Sequence, residues 1–148
     1  MITSKVWPVR MLYIHEMYFS ASHWIPNHEK CGALHGHTFF VKELLAEVEG
    51  FVDFADIKRV VMGFDHMALI PQCDEEAWVR LHHAIHESEV YKPLRKVFSR
   101  YRVIEDTDLP GTTIERIAEE LKKEIEEIPG VRKVAFELCE GPNAGASV

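Results

Sequence analysis

The stretch Cys31 to His37 reads C-G-A-L-H-G-H, and it constrains the fold more than any other part of the chain. Side chains alternate along an extended backbone, so a strand here projects His35 and His37 from one face. Two imidazoles so placed can grip one ion, and Gly36 between them leaves room for that ion or a ligand to approach the backbone. A third imidazole, His23, ends the run Tyr13 to Trp24, in which Tyr13, His15, Met17, Phe19, Ala21 and His23 share one parity. If that run is a strand lying beside the next, three histidines converge at the end of a sheet.

Three neutral imidazoles with one coordination position left over make the pattern of a catalytic zinc site; a structural site is normally closed by a fourth protein ligand. The competing reading is that nine histidines are scattered over 148 residues and three fall close together. H-x-H with a third His on an upstream strand and a Cys four residues before favours the metal.

A chain of 148 residues suits one domain with a core that needs no disulfide support. Its formal charge of -7 argues against a dedicated nucleic-acid binder, which would carry a basic face. No apolar run is long enough to span a membrane, and the N-terminus lacks a secretory pattern. Cys31, Cys73 and Cys139 form an odd set without paired spacing, as expected in a reducing compartment. The expected location is cytoplasmic.

Residues 1 to 10 show no periodicity, and Pro8 opposes a long central strand there. Strands are expected over 11 to 23 and from His35 to about Val48, with Phe39, Val41 and Leu45 on the parity of the two histidines. The loop from Pro26 to Gly32 delivers Cys31 close to the metal. Phe51 to Phe54 reads as a short strand leading into a helix capped by Asp53, with Ile57, Val60, Val61 and Phe64 as its apolar stripe. Trp78, Leu81 and Ile85 fit a second helix, and Leu94, Val97, Phe98 and Tyr101 a further one after Pro93. His82, His83 and His86 fall in this region. The first and third could bind metal at i and i+4, but without H-E-x-x-H or a further ligand they read as a solvated face.

Thr112 with Glu115 forms a capping box, and Ile114, Ile117, Ala118, Leu121, Ile125 and Ile128 make the buried stripe of the helix that follows, stopped by Pro129-Gly130. The last strand is Val131 to Glu140, with Val134, Phe136 and Leu138 on one parity. Glu140 continues that parity. Either the strand has reached solvent there, or the carboxylate faces a pocket and accepts from a ligand edge carrying two donors. Strands at both ends with helices between them and no regular alternation imply an α+β fold with an antiparallel sheet.

Several motifs now align in order over nearly the whole chain: F-S-A-S-H (Phe19 to His23), C-G-A-L-H-G-H, V-D-F-A-D-I-K (Val52 to Lys58), Asp65-His66, T-x-E-x-x-A (Thr113 to Ala118), and Glu140 followed by Ala144-Gly145. Together they resemble the 6-pyruvoyltetrahydropterin and 6-carboxytetrahydropterin synthase family, and more closely its queuosine-pathway 6-carboxytetrahydropterin synthase branch. C-x-x-x-H-G-H with an upstream F-x-A-x-H is the specific part of the signal.

The resemblance implies the tunnelling fold, an antiparallel sheet with helices on one face, assembled as trimers stacked into a homohexamer with active sites between subunits. It implies Zn2+ held by His23, His35 and His37, Cys31 as general base, and Asp65 with His66 working with that cysteine from a neighbouring subunit. Glu140 matches the acid that anchors the pterin, and Thr113 a pterin-contacting threonine. The implied reaction converts 7,8-dihydroneopterin triphosphate to 6-carboxy-5,6,7,8-tetrahydropterin with release of acetaldehyde and triphosphate, in a 7-deazaguanine pathway to queuosine or archaeosine. The alternatives are the 6-pyruvoyltetrahydropterin synthase reaction and a non-catalytic zinc or pterin-binding module on the same scaffold.

Departures from the family pattern are a short hairpin between His37 and Asp53, a helical insertion at about 74–104, Ile114 in place of a hydroxyl residue, and a chain that stops at Val148. Without the resemblance, Asp65 and His66 read as surface polar groups and Cys31 as a small buried hydrophobe. Lys30, Lys42 and Arg59 are basic candidates for phosphate of an ordinary exposed kind.

Overall fold

The computed structural model describes residues 6–148; the expectation for residues 1 to 5 lies outside them. Two long strands, β1 (Val9–His23) and β2 (His35–Glu49), pair antiparallel in one constant register from Val9↔Glu49 to His23↔His35, interrupted at a single pair. They are followed by α1 (Phe54–Met62), β3 (Met67–Pro71), α2 (Glu75–Glu87), β4 (Tyr101–Ile104), α3 (Ile114–Glu126), β5 (Val131–Gly141) and β6 (Ala144–Ser147). The six strands lie in the order β4-β3-β1-β2-β5-β6.

The α+β class holds, with one difference of detail. β2, β5 and β6 extend the sheet antiparallel, whereas β3 joins β1 and β4 joins β3 in parallel. A parallel neighbour needs a crossover of a dozen or more residues. The stretch between β3 and β4, which contains α2, supplies it. Leu94 to Ser99 is not the helix that their spacing predicts: a short 3-10 turn ends at Leu94, irregular turns follow, and Tyr101 opens β4. After Pro93 the Phe98 amide donates to the Leu94 carbonyl at 3.2 Å, a single α-type turn, and the Ser99 amide then donates only three residues back, to Lys96 at 3.3 Å, so no helix builds.

One face of the sheet carries the core. Phe19, Phe39 and Val41 from β1 and β2 pack with Ile57 and Val61 of α1, Phe64, and Ile117, Leu121 and Ile125 of α3, all fully buried. Burying a side chain of this size stabilises by about 1.5–3 kcal/mol, so these positions carry much of the fold's stability. The parity expected for both strands holds only near the histidine end. The His15↔Glu43 pair is missing from the ladder, Glu43 has a φ of 53°, and β2 shifts register against β5 between Lys42 and Leu45. Beyond that irregularity the buried residues are Ile14 and Leu44, while Tyr13 and Leu45 are exposed. Because both strands switch together, the core face stays continuous.

Asp53 caps α1 as expected, its Oδ1 accepting from the Ala55 amide at 2.8 Å. Phe51 to Asp53 form no strand. The capping box expected at α3 does not form. Thr113 is the N-cap, its hydroxyl donates to the Pro110 carbonyl at 2.9 Å, and no side chain caps the helix. Thr112 is instead fully buried and donates from Oγ1 to the Trp24 carbonyl at 2.6 Å. Gly111 just before it is required by packing, since a Cβ there would lie 2.1 Å from the Ile104 carbonyl oxygen. The tight passage at Gly111 therefore seats Thr112 against the end of β1.

A second apolar group forms around α2, where Trp78 packs on Trp24, Phe98 and Tyr101 with ring centroids 5.4 to 5.9 Å apart. Leu69 of β3 joins the main core, and its neighbour Ile70, which points to the opposite face, is equally buried. Both faces of β3 are thus covered. The last strand, β6, pairs with β5 and supplies the edge of the sheet. No described helix is long and apolar enough to cross a membrane.

Candidate metal centre

The β1–β2 register sets His23 directly opposite His35, with His37 one pleat along on the same face. Ring centroids are 4.6 Å apart for His23 and His35, 5.1 Å for His23 and His37, and 4.9 Å for His35 and His37. One ring nitrogen from each lies within 4.8 Å of the other two, and among the described residues this is the one group of three or more metal-ligating side chains so arranged. Phe39 sits edge-on to both His23 and His37 and joins the site to the core.

Two of the rings are oriented by backbone carbonyls. His23 Nδ1 donates to the Thr112 carbonyl at 2.8 Å, and His35 Nδ1 to the Ala33 carbonyl at 2.7 Å. A carbonyl only accepts, so each of these nitrogens carries the proton and Nε2 is left with a free lone pair. His23 Nε2 is buried without any hydrogen-bond partner. Leaving a buried acceptor unsatisfied costs about 1–3 kcal/mol, and a divalent ion shared with His35 and His37 would satisfy it. The His23 pKa is brought down to about 4, mainly by burial; the Thr112 carbonyl opposes the shift, and the neighbouring His35 and His37 add to it. The ring is therefore neutral at pH 7, the form a metal requires. The donor set fits zinc: three neutral imidazoles with a further position open to an exogenous ligand.

The other predicted residues are brought to the same end of the sheet to different degrees. Cys31 lies half-buried in the loop that joins His23 to His35. That loop is tied on itself by the Ile25 amide donating to the Cys31 carbonyl at 2.7 Å and the Cys31 amide donating to His28 Nδ1 at 2.9 Å. Asp65 and His66 lie just before β3, which pairs with β1 at Ala21 and Ser22. Neighbours in sequence generally point apart, but His66 has a φ of 57°, and its Nδ1 contacts Asp65 Oδ2 at 2.7 Å. Asp65 Oδ1 accepts from the Ser20 amide at 2.8 Å. That bond holds the Asp65 carboxyl below the usual range; burial opposes it, and His66 and then Arg100 add to the lowering.

Glu140 lies one residue from the end of β5, beside the His37 end of β2, as the Phe40↔Cys139 pairing requires, and is partly buried. Thr113 sits one residue from the carbonyl that orients His23. Thr112 escaped the sequence reading. Its spacing to Glu115 imitates a capping box, and only the fold shows that its carbonyl faces His23.

One buried and two half-buried strand histidines, a cysteine loop and an adjacent Asp-His pair define an α+β protein with three histidines that could hold a metal ion at one end of its sheet. The chain matches the model of the 6-pyruvoyl tetrahydropterin synthase family over residues 13–148, and it belongs to that family. A protein of Archaeoglobus fulgidus, provisionally named 6-carboxy-5,6,7,8-tetrahydropterin synthase, is 48% identical over 64 residues, 38% of this chain and 56% of that one. The match thus spans little more than half the length of this curated relative.

Among solved structures, the 6-pyruvoyl tetrahydropterin synthase of Plasmodium falciparum superposes with a TM-score of 0.55 at 14% identity, covering 95% of this chain and 96% of the other. A Plasmodium vivax 6-pyruvoyltetrahydropterin synthase carrying a substitution at a catalytic residue gives 0.57 at 16% identity, with 95% and 97% covered. These similarities confirm the tunnelling fold.

Proposed function

We propose that the protein is a zinc-dependent lyase that converts 7,8-dihydroneopterin triphosphate to 6-carboxy-5,6,7,8-tetrahydropterin, releasing acetaldehyde and triphosphate, within a 7-deazaguanine pathway. The observation that carries this reading is the buried, unpartnered Nε2 of His23 facing His35 and His37. Those three histidines would hold the ion. When bound, zinc supplies Lewis acidity, which lowers the pKa of a coordinated hydroxyl and of the C–H bonds beside it.

The chain's own residues supply the rest. Cys31 Sγ, as thiolate, takes a proton from the substrate side chain. His66, with Nδ1 held by Asp65, exchanges protons at Nε2 and favours the thiolate when charged. The Glu140 carboxylate accepts from a ring N–H and the amino group of the pterin, a two-donor edge that suits it. Thr113, whose hydroxyl proton is committed to the Pro110 carbonyl, offers its oxygen as an acceptor. In this reading the protein is a homohexamer with Asp65 and His66 reaching the site of a neighbouring subunit, and residues 74–104 are an insertion in a single domain.

The alternative is triphosphate elimination alone, giving 6-pyruvoyltetrahydropterin. The names of the matching family and of the Plasmodium structures favour it, while the name of the Archaeoglobus protein and the three-residue gap between Cys31 and His35 favour the carboxy product. Incubating zinc-loaded protein with 7,8-dihydroneopterin triphosphate and trapping acetaldehyde decides between them. Acetaldehyde with the 6-carboxy product is expected; a pyruvoyl product without acetaldehyde selects the alternative. Tight pterin binding without turnover would make the chain a binding module.

A further inference from the structure

Strands β3 and β4 end side by side, with Pro71 opposite Ile104. The short turn Gln72–Asp74 that follows β3 therefore lies against the chain that leaves β4. Asp106 joins the two. Its Oδ2 accepts from the Cys73 amide at 2.8 Å, its Oδ1 accepts from the Gly111 amide at 2.6 Å, and its own amide donates to Gln72 Oε1 at 3.2 Å. Two amides aimed at two oxygens of one side chain call for a carboxylate. An asparagine has one oxygen to offer and would turn a donor toward the second amide.

Asp74, next to Cys73, reaches the other way. Its Oδ2 accepts from the Trp24 indole N–H at 2.8 Å, and the Trp24 carbonyl accepts from the Thr112 hydroxyl at 2.6 Å. These contacts close a ring that runs from Asp74 to Trp24 and Thr112, along the chain to Gly111, then through Asp106 and Cys73 back to Asp74. Both aspartates are half-buried, and hydrogen bonds to a charged oxygen are stronger there than in open solvent. His23 is held by the ring at two points. It directly precedes Trp24, and its Nδ1 donates to the Thr112 carbonyl at 2.8 Å. A carbonyl behind a metal-binding imidazole sets the tautomer and direction of the ring; here the two carboxylates set the carbonyl.

We propose that Asp106 and Asp74 are positioning residues of the metal centre: from the two ends of the β3–β4 crossover they fix Thr112 and Trp24, and through them the direction of His23 Nε2. The inference rests on the three-histidine metal reading above. It gives the stretch from Gln72 to Asp106 a part in the site, although none of its residues is a ligand in that reading.

Chelator competition on the full chain measures zinc affinity, and thermal unfolding of the metal-free protein measures stability separately. Asp106→Ala is expected to weaken zinc binding by about 10-fold, the low end for a lost partner behind a metal ligand, and to shift the visible absorption of cobalt(II) bound in place of zinc. Asp106→Asn keeps one of the two acceptors and should recover part of the affinity. Asp74→Ala should weaken zinc binding as well, and Asp74→Asn, which keeps an oxygen for the indole, should restore it. A lower melting temperature in D106A and D74A with unchanged zinc affinity and cobalt spectrum would make the ring an anchor of the fold alone and overturn the proposal. If D106A does not fold, the two Asp74 variants decide by the same measurements. A wild type that takes up no zinc overturns the metal centre and this proposal with it, whereas equal zinc affinity in wild type and variants overturns this proposal alone.

Discussion

The molecule carries two groups of three histidines, and they differ in everything but composition. His82, His83 and His86 sit on α2, with the first and last rings stacked at 4.2 Å. His23, His35 and His37 come from two strands and share one pleated face. On the helix the rings are partly or fully exposed, and His86 Nδ1 is spent on the His82 carbonyl at 2.9 Å. On the strands His23 is fully buried, two Nδ1 atoms are held by carbonyls, and the lone pairs point inward. Proximity alone therefore does not make a metal centre. What makes one is a set of rings whose directions are fixed before the ion arrives, so that binding does not have to freeze them.

The largest expected effect separates the two groups directly. His35→Ala should lower zinc content, measured by mass spectrometry of metals in dialysed protein, from about one per chain to near none, and abolish turnover. The double substitution His82→Ala with His86→Ala should leave both intact. Zinc lost from the second variant and kept in the first would reverse the assignment.

Next in size is Cys31→Ala. Zinc and neopterin binding should persist while turnover falls by about 10²- to 10⁴-fold, the range for a removed acid–base group. Near-normal activity would move the base elsewhere.

Smaller still is Thr112→Val, which keeps the carbonyl that orients His23 but removes the hydroxyl bond to the Trp24 carbonyl. Loss of such outer support typically weakens metal affinity by about 10- to 100-fold, and the retained carbonyl should keep this variant near the low end. Competition with a chelator measures it, and unchanged affinity would show that Gly111 and the buried main chain suffice.

The difference between the groups also explains what could be read in advance. Period-2 alternation from Met17 to His23 and from His35 to Val41 was enough to place three imidazoles together, because no irregularity interrupts those stretches. Beyond them the alternation misleads: the paired irregularity at His15 and Glu43 moves Tyr13 and Leu45 outward. A left-handed residue inside a strand leaves no signature when it is glutamate. The recurrence of Leu94, Val97, Phe98 and Tyr101 at helical spacing predicts a helix after Pro93, yet that spacing arises from a turn leading into β4. Parallel pairing of β3 and β4 is a tertiary outcome with no local cue.

In the sequence, motif alone links Asp65 and His66 to the histidines. The left-handed backbone at His66 is what folds its ring onto the carboxylate.

The most direct measurement is X-ray absorption at the zinc edge of the loaded protein. Three imidazole nitrogens and one further oxygen or nitrogen ligand are expected at about 2.0–2.1 Å, with no sulfur. A zinc–sulfur path at about 2.3 Å would show Cys31 closing the site as a fourth ligand. That result would contradict both the open metal centre and the free thiolate on which the lyase reading stands.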